Sequence, residues 1–285
     1  MRLTLLVQNL GHGALYDGNG NPDYRWPAVA EAIRALPEQP DLVLFQEAVD
    51  WGRWGHKHLA QAMHDLDMDA PPLPPSSSGY GPALLYRKET VGRWLNWNPD
   101  FAHKVTHGFG VATFDVGLPT PLAVISAHLD PHSAEIALAE AKYIATRAMR
   151  YGPYGIVAGD LNYPPAQGPS ADFSAMRPYN LAARTMLPAD ASQVGSAPVP
   201  DRRIGLKMMQ TGFVDAAWHL YEKTGDPALL ARTGTDDRID QCWVSGPLAP
   251  AIVSYRTLDM PSDHKGLLVQ IDPALADTTN VWEYR

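Results

Sequence analysis

The feature that most constrains this chain is a series of short apolar runs that end in acidic, amide or imidazole side chains. In the segment IVAGDLN, three apolar residues lead through Gly159 to Asp160 and Asn162. Short apolar runs of this length and β-branched content are typical of buried strands. Binding and catalytic residues are commonly carried on the loops at strand ends. The pattern therefore predicts buried strands that deliver polar side chains to a shared edge.

Eight such runs are predicted to be strands, and helical segments lie between them. The predicted strands are 3–7, 42–45, 83–86, 111–116, 122–125, 156–158, 238–245 and 266–271. The predicted helices are 26–36, 54–66, 133–150 and 213–222, with one more near 179–186 inside a long loop from 163 to about 203. This mixture predicts α/β layers. Because polar strand ends occur on both sides of the loops and must meet, a single domain over 1–285 is expected.

The composition excludes several classes of protein. A formal net charge of -8 argues against a tight, non-catalytic nucleic-acid coat, which needs an excess of Lys and Arg. The single cysteine, Cys242, rules out an internal disulfide and a cysteine-rich zinc site. No run approaches the ~20 apolar residues of a membrane span. The N-terminal apolar run is too short for a signal peptide, so a cytoplasmic protein without a membrane span is expected.

Eight polar residues stand at or beside the ends of the predicted strands. They are Asn9, Glu47, His128, Asp160, Asn162, Asp240, Asp263 and His264. If they converge, their oxygen donors suit a hard cation such as Mg²⁺, with Mn²⁺ or Ca²⁺ as substitutes. The remaining donors would face an anion held by that cation, and a phosphate fits. The sequence shows no obligate protein partner.

Six short motifs also occur in a recognisable order. They are QN at 8–9, FQE at 45–47, SAHLD at 126–130, GDLN at 159–162, RID at 238–240 and SDH at 262–264. Together they resemble the ordered motifs of the endonuclease/exonuclease/phosphatase superfamily, which is DNase I-like, over residues 1 to about 271. The resemblance implies a four-layer α/β/β/α sandwich, in which two mixed sheets pack face to face between outer helices.

The resemblance further implies a metal and nucleophile side of the site. Glu47 would bind Mg²⁺ directly, and Asn9 would support that metal or contact the phosphate. Asp160 would orient or deprotonate the attacking water, close to the metal. Asn162 would hold the nucleophile or a phosphoryl oxygen, and Asp263 would lie near the metal.

The imidazoles have implied roles on the phosphate side. His264 would donate to the phosphate, with Asp240 fixing its tautomer. His128 would bind a phosphoryl oxygen or assist the leaving group. The carboxylate that backs this histidine in DNase I would fall near Tyr80, so the partner of His128 stays open.

The activity implied by the resemblance is Mg²⁺-dependent hydrolysis of phosphodiester bonds in nucleic acid, with a water nucleophile and no covalent enzyme intermediate. The alternative is a phosphatase or phosphodiesterase that acts on a small-molecule or lipid-headgroup phosphate ester, and the acidic total keeps it open. A third reading, a catalytically silent binding scaffold, conflicts with the full set of metal and acid–base candidates.

Overall fold

The strands form two mixed sheets. The computed structural model describes residues 2–169, 171, 173–186 and 197–283. In chain order its strands are β1 (Leu3–Asn9), β2 (Leu42–Gln46), β3 (Ala83–Tyr86), β4 (Asn96–Asn98), β5 (Val111–Phe114), β6 (Leu122–His128), β7 (Gly155–Asp160), β8 (Thr185–Met186), β9 (Val199–Pro200), β10 (Phe213–Asp215), β11 (Asp240–Ser245), β12 (Ile252–Leu258) and β13 (Gly266–Ile271). One sheet has the order β12-β13-β1-β2-β3 and the other β10-β11-β7-β6-β5-β4, while β8 and β9 form a separate hairpin-like pair.

The described ranges contain seven α-helices. They are α1 (Trp26–Arg34), α2 (Arg53–Leu66), α3 (Lys88–Val91), α4 (Ala134–Ala148), α5 (Pro178–Arg184), α6 (Arg203–Gln210) and α7 (Ala216–Thr224). Of these, α1, α2, α4 and α6 cover the outer faces of the two sheets. Buried side chains of α1 and α2 pack on the five-stranded sheet. Those of α4 and α6 pack on the six-stranded sheet. The result is the four-layer α/β/β/α sandwich that the sequence predicted.

Three apolar layers hold this sandwich together, and alternation along the strands explains them. In β1, Leu5 and Val7 point into the layer between the sheets, where they join Val124 and Ile156. Their neighbour Leu6 points the other way, into the layer beneath α1 and α2. Both faces of the central strands are therefore buried, which is why their sequences are continuously apolar.

Strand direction brings the polar ends to one edge of the sandwich. β1 and β2 are parallel and β13 is antiparallel to β1, so the ends of β1 and β2 lie beside the start of β13. In the second sheet, β6 and β7 are parallel and β11 is antiparallel to β7. The register places His128, Asp160 and Asp240 side by side across three strands.

Several predicted boundaries differ from the structure for identifiable reasons. The predicted helix 213–222 begins as strand β10, because Phe213 pairs with Ser245 and Asp215 caps the helix that follows. In α2, the residues from Trp54 to His56 have left-handed φ values, so regular helix begins after them. The edge strands β4 and β12 were missed because one face of each is exposed, which breaks the apolar run. Helix α6 was not predicted, and its outer face carries the exposed apolar side chains of Leu206 and Met209.

Two expectations from composition are met. The Cys242 side chain is free and fully buried in the layer between the sheets. None of the helices in the described ranges has the length and apolar composition needed to cross a bilayer.

Gly159 is required by the close approach of β7 to β6. Its φ is +150°, and a Cβ there would lie 1.9 Å from the Ala127 carbonyl oxygen. We expect Gly159→Ala to lower the free energy of unfolding by about 2 kcal/mol or more, from overpacking and backbone strain. Urea denaturation measures this. Gly18→Ala is the control, because its Cβ would meet no atom within 4 Å, and an equal loss in both variants would contradict the explanation.

Candidate active site

The side-chain amide of Asn9 joins the two sheets at the shared edge. Asn9 Nδ2, at the end of β1, donates to Asp160 Oδ2 of the other sheet at 3.0 Å and lies 3.3 Å from Glu47 Oε1. The Asn9 side-chain oxygen accepts from the Gly11 N–H at 2.9 Å. Because its oxygen and nitrogen both have partners in the protein, Asn9 fixes two carboxylates at a set spacing.

Glu47 is aimed at the site by an unusual backbone conformation. It follows β2 directly and has φ +55°, in the left-handed region that non-glycine residues rarely adopt. Its Oε2 accepts from the His12 N–H at 2.7 Å. Strain of this kind often accompanies functional sites, and here it turns a carboxylate from the sheet edge toward Asn9.

Asp160 lies at the centre of the cluster and is 2% exposed. Its Oδ1 accepts from the Asn162 N–H at 2.8 Å. Its Oδ2 lies 3.8 Å from His128 Nε2 and 3.9 Å from His264 Nε2. Asn162 has φ +60°, and its Nδ2 donates to the Leu129 carbonyl at 2.9 Å. Two imidazoles and one amide therefore surround this carboxylate.

Asp240 and His264 form a buried pair. His264 Nδ1 lies 2.8 Å from Asp240 Oδ2, and Asp240 is 1% exposed. A carboxylate at Nδ1 fixes the imidazole so that Nε2 faces outward, here toward Asp160. Burying the Asp240 carboxylate in an apolar strand is energetically unfavourable, and the contact with His264 offsets that cost.

The charges of this cluster depend on one another. Burial acts to raise the pKa of Asp160, but His264, His128 and the Asn162 N–H together lower it below its usual value. Burial above all raises the pKa of Asp240. Burial also acts to lower the pKa of His264, but Asp240 and then Asp160 outweigh it and raise the value to about 10. In the metal-free protein, His264 is thus a cation held between two carboxylates.

The open question of the His128 partner has a structural answer. His128 Nδ1 lies 3.4 Å from the Tyr80 carbonyl oxygen, so a backbone group stands where the resemblance suggested a carboxylate. The ring also stacks on His107, with centroids 3.8 Å apart and planes inclined by 11°. His107 Nδ1 lies 2.7 Å from Ser78 Oγ. Burial above all lowers the pKa of His107 to about 3, so this second ring is neutral.

These groups face a cleft of about 510 Å³, called here the strand-end cleft. Its lining is Glu47, Ser78, Tyr80, Thr106, His107, His128, Pro131, His132, Asp160, Asn162, Arg177, Arg184, Gly234, Thr235, Ile239, Asp263 and His264. Asn9 and Asp240 are buried behind it and contact lining residues. Asp263 is exposed and accepts from Ser262 Oγ at 3.4 Å. All eight predicted residues therefore belong to one site.

The lining residues that sequence reasoning missed include His107, Arg177 and Arg184. His107 had no signal beyond its place in the segment HGFG before a strand. Arg177 and Arg184 lie at the two ends of α5, in a region read mainly as loop. Arg177 directly precedes the helix and has an extended backbone, so helical spacing gave no signal that the two arginines share one cleft.

The donor set fits a hard divalent cation. Glu47 and Asp160 supply carboxylate oxygens held close together by one amide, and such oxygens suit Mg²⁺ or Mn²⁺. Ligand atoms of Asp160, Asp240 and His264 also lie within 4.8 Å of one another. The His264 Nδ1 is already paired with Asp240, however, so the side of the cleft with Glu47 and Asp160 is the better cation position.

Comparison with known proteins decides the family. A model of the Endonuclease/Exonuclease/phosphatase family matches residues 6–264. The chain belongs to this family. It is therefore a hydrolase of phosphoester bonds, and the motifs that carried the resemblance are the ones that line the strand-end cleft. No curated protein matches the chain significantly.

Solved structures share the fold of this family member. The 3′-5′ exonuclease of Neisseria meningitidis matches with a TM-score of 0.61 and 16% identity, over 95% of this chain and 100% of that one. An endonuclease/exonuclease/phosphatase family protein from Bacteroides thetaiotaomicron gives 0.60 and 16%, over 100% and 99%. The AP endonuclease of Leishmania major gives 0.60 and 16%, over 95% and 87%. At this identity the likeness shows the fold alone.

The Asp240–His264 pair gives a prediction that needs no substrate. Removing the Asp240 charge takes away the largest interaction that keeps His264 protonated. We therefore expect Asp240→Asn to lower the pKa of His264 from about 10 toward or below the ordinary ~6.5. NMR titration of the imidazole resonances in the metal-free protein measures it. Asp263→Asn should lower it less, and an equal fall in both variants would contradict the pairing.

Proposed function

We propose that this enzyme is a Mg²⁺-dependent phosphoesterase that cleaves phosphodiester bonds in nucleic acid by attack of water. The observation that carries the proposal is the convergence of Glu47, Asp160 and the Asp240–His264 pair on one cleft. This arrangement combines a cation position, a proton acceptor and a protonated donor within a few ångströms. A binding scaffold has no need of that combination.

The cation would be held by Glu47 and Asp160, with Asp263 at the mouth of the cleft available to an ion or its waters. In our proposal Asn9 positions the two carboxylates, because its own oxygen accepts from Gly11. When bound, Mg²⁺ supplies electrostatic stabilisation of the phosphoryl oxygens.

Asp160 is the proposed acceptor of the proton from the attacking water. Its lowered pKa keeps the carboxylate ionised, as an acceptor must be. The Asn162 N–H occupies Oδ1. Oδ2 accepts from Asn9 Nδ2 and also faces the two imidazoles, and it is the oxygen proposed to take the proton of the water. Asn162 itself fixes the loop that follows β7, through its bond to the Leu129 carbonyl.

The two imidazoles are the proposed donors to the phosphoryl group. His264, held as a cation by Asp240, presents its Nε2 proton to a phosphoryl oxygen on which charge develops. His128 keeps its Nδ1 at the Tyr80 carbonyl, so its Nε2 faces the cleft for a second contact or for the leaving group. Acid–base assistance of this type contributes about 10²–10⁴-fold.

Nucleic acid is the proposed substrate because the similar folds include an exonuclease and an AP endonuclease. A second candidate is a small phosphate ester. It is supported by the bounded volume of the strand-end cleft, about 510 Å³, and by the acidic net charge. A single domain over 1–285 and a cytoplasmic location stay predictions.

Asp160→Asn tests the catalytic proposal. Loss of the proton acceptor should reduce Mg²⁺-dependent cleavage of plasmid DNA and of short oligonucleotides by about 10²-fold or more. Cleavage rates at saturating Mg²⁺ measure this. Asp259→Asn, at a side chain 92% exposed, should cleave at the rate of the parent enzyme. Undiminished cleavage by Asp160→Asn would contradict the assignment, and hydrolysis of small phosphate esters alone would favour the second candidate.

Glu47→Gln tests the cation position. The amide keeps the shape but loses the charge, so we expect Mn²⁺ affinity to fall by more than the ~10–100-fold caused by loss of a supporting residue. Isothermal titration calorimetry of Mn²⁺ into the metal-free protein measures the affinity. Asp259→Asn is again the control. Unchanged Mn²⁺ binding in Glu47→Gln would place the cation elsewhere.

A further inference from the structure

Arg184 is a buried cation without a partner in the strand-end cleft. It stands at the end of α5, is 7% exposed and lines the cleft. Its Nε is buried and has no hydrogen-bond partner. Within the described ranges, no carboxylate lies within ion-pair distance of the guanidinium. This residue has no part in the proposed catalytic steps.

A buried guanidinium such as that of Arg184 is energetically unfavourable unless an anion pairs with it. Burying a charged group without pairing or hydrogen bonds is unfavourable. The charge of Arg184 acts on Asp160, Tyr163 and Asp237 through space, yet none of them forms a direct bond to it. Arg184 is buried, has no bonded partner at its Nε and lines the strand-end cleft. We take this as an indication that its partner is an anion from outside the chain.

Arg177 adds a second positive charge at the rim of the strand-end cleft. It stands at the beginning of α5, is 52% exposed and lines the same cleft. Its Nε lies 3.9 Å from Asp236 Oδ2, so this arginine is anchored at its base. Arg184 is buried and Arg177 is half exposed, so the two arginines line the cleft from its buried part to its rim.

The charge balance of the cleft defines the anion. Of the three cations in the lining, His264 is paired with Asp240 and Arg177 lies 3.9 Å from Asp236, so Arg184 is the one without a carboxylate of the described ranges at ion-pair distance. A divalent cation held by Glu47 and Asp160 would balance those two carboxylates, which leaves the charge of Arg184 available to an anion from outside the chain. A phosphomonoester carries close to two negative charges near neutral pH, whereas each internal diester carries one.

We propose that Arg184, with Arg177 at the rim, forms a phosphate-binding subsite that selects a terminal phosphomonoester over an internal diester. The planar fork of an arginine can bond two phosphoryl oxygens at once. The part of this inference that concerns hydrolysis depends on the proposed function. The binding part does not, because the arginines are present without metal.

The decisive experiment measures inorganic phosphate binding to the metal-free protein in EDTA, by calorimetry or ³¹P NMR. We expect saturable binding that weakens at least ~10-fold in Arg184→Met, since a charge-assisted bidentate contact contributes ~1.5–3 kcal/mol. Arg184→Lys should be intermediate, because it keeps the charge and loses the fork. Arg256→Gln removes a half-exposed arginine paired with Glu38 and should bind as the parent does. Equal binding in Arg184→Met and the parent, or no binding at all, overturns the proposal.

A second variant covers the case in which a change at Arg184 unfolds the protein. Arg177 is half exposed, so Arg177→Gln should leave the thermal unfolding midpoint close to that of the parent. We expect this variant to bind phosphate several-fold more weakly. Phosphate binding that Arg177→Gln leaves unchanged, in a folded protein, counts against the subsite.

A further measurement compares hydrolysis rates on matched substrates in the presence of Mg²⁺. One oligonucleotide carries a phosphate at one end, its twin carries a hydroxyl there, and ribose 5-phosphate represents the small-molecule source. Preference for either phosphomonoester, reduced in Arg184→Met, supports the subsite and identifies the source. Equal rates on the twin oligonucleotides overturn the selectivity. Phosphate binding that depends on Arg184, without hydrolysis of any substrate, contradicts the proposed function but not the subsite.

Discussion

The site depends on the face-to-face packing of two sheets whose functional edges coincide. Leu5 and Val7 from one sheet pack against Val124 and Ile156 from the other, and this apolar layer sets how far apart the edges lie. Only at that separation can one side chain, Asn9, contact Asp160 across the interface at 3.0 Å. Apolar burial supplies the energy, and the buried hydrogen bond selects the alignment.

Around this contact the protein confines opposite charges in a small, poorly solvated volume. His264 is positive because Asp240 is beside it, and Asp160 stays ionised because two imidazoles and an amide face it. Each group depends on its neighbours for its protonation state. This mutual dependence explains why the acidic side chains can be buried. Arg184 differs, because no carboxylate of the described ranges lies within ion-pair distance of it.

The central strands could be predicted well from the sequence, and the peripheral elements less well. Strands such as β1 and β7 are buried on both faces, so their apolar runs stand out. Most residues of edge strand β12 are half buried, with Ile252 and Tyr255 buried and Arg256 exposed, and this strand was missed. The helix predicted over 213–222 was wrong at its start, because pairing of Phe213 with Ser245 overrides local propensity. Long-range pairing of this kind leaves little trace in a local window of sequence.

For the site itself, the sequence alone determined which residue types stand at the strand ends, because motif order and strand periodicity are local properties of the chain. All eight predicted residues, from Asn9 to His264, belong to the strand-end cleft or contact its lining. Tertiary structure alone decided that the Tyr80 carbonyl and the His107 ring serve His128, and that Arg184 enters the cleft unpaired. Those relations arise between segments far apart in sequence, and only the packing of sheets and helices sets the distances between them.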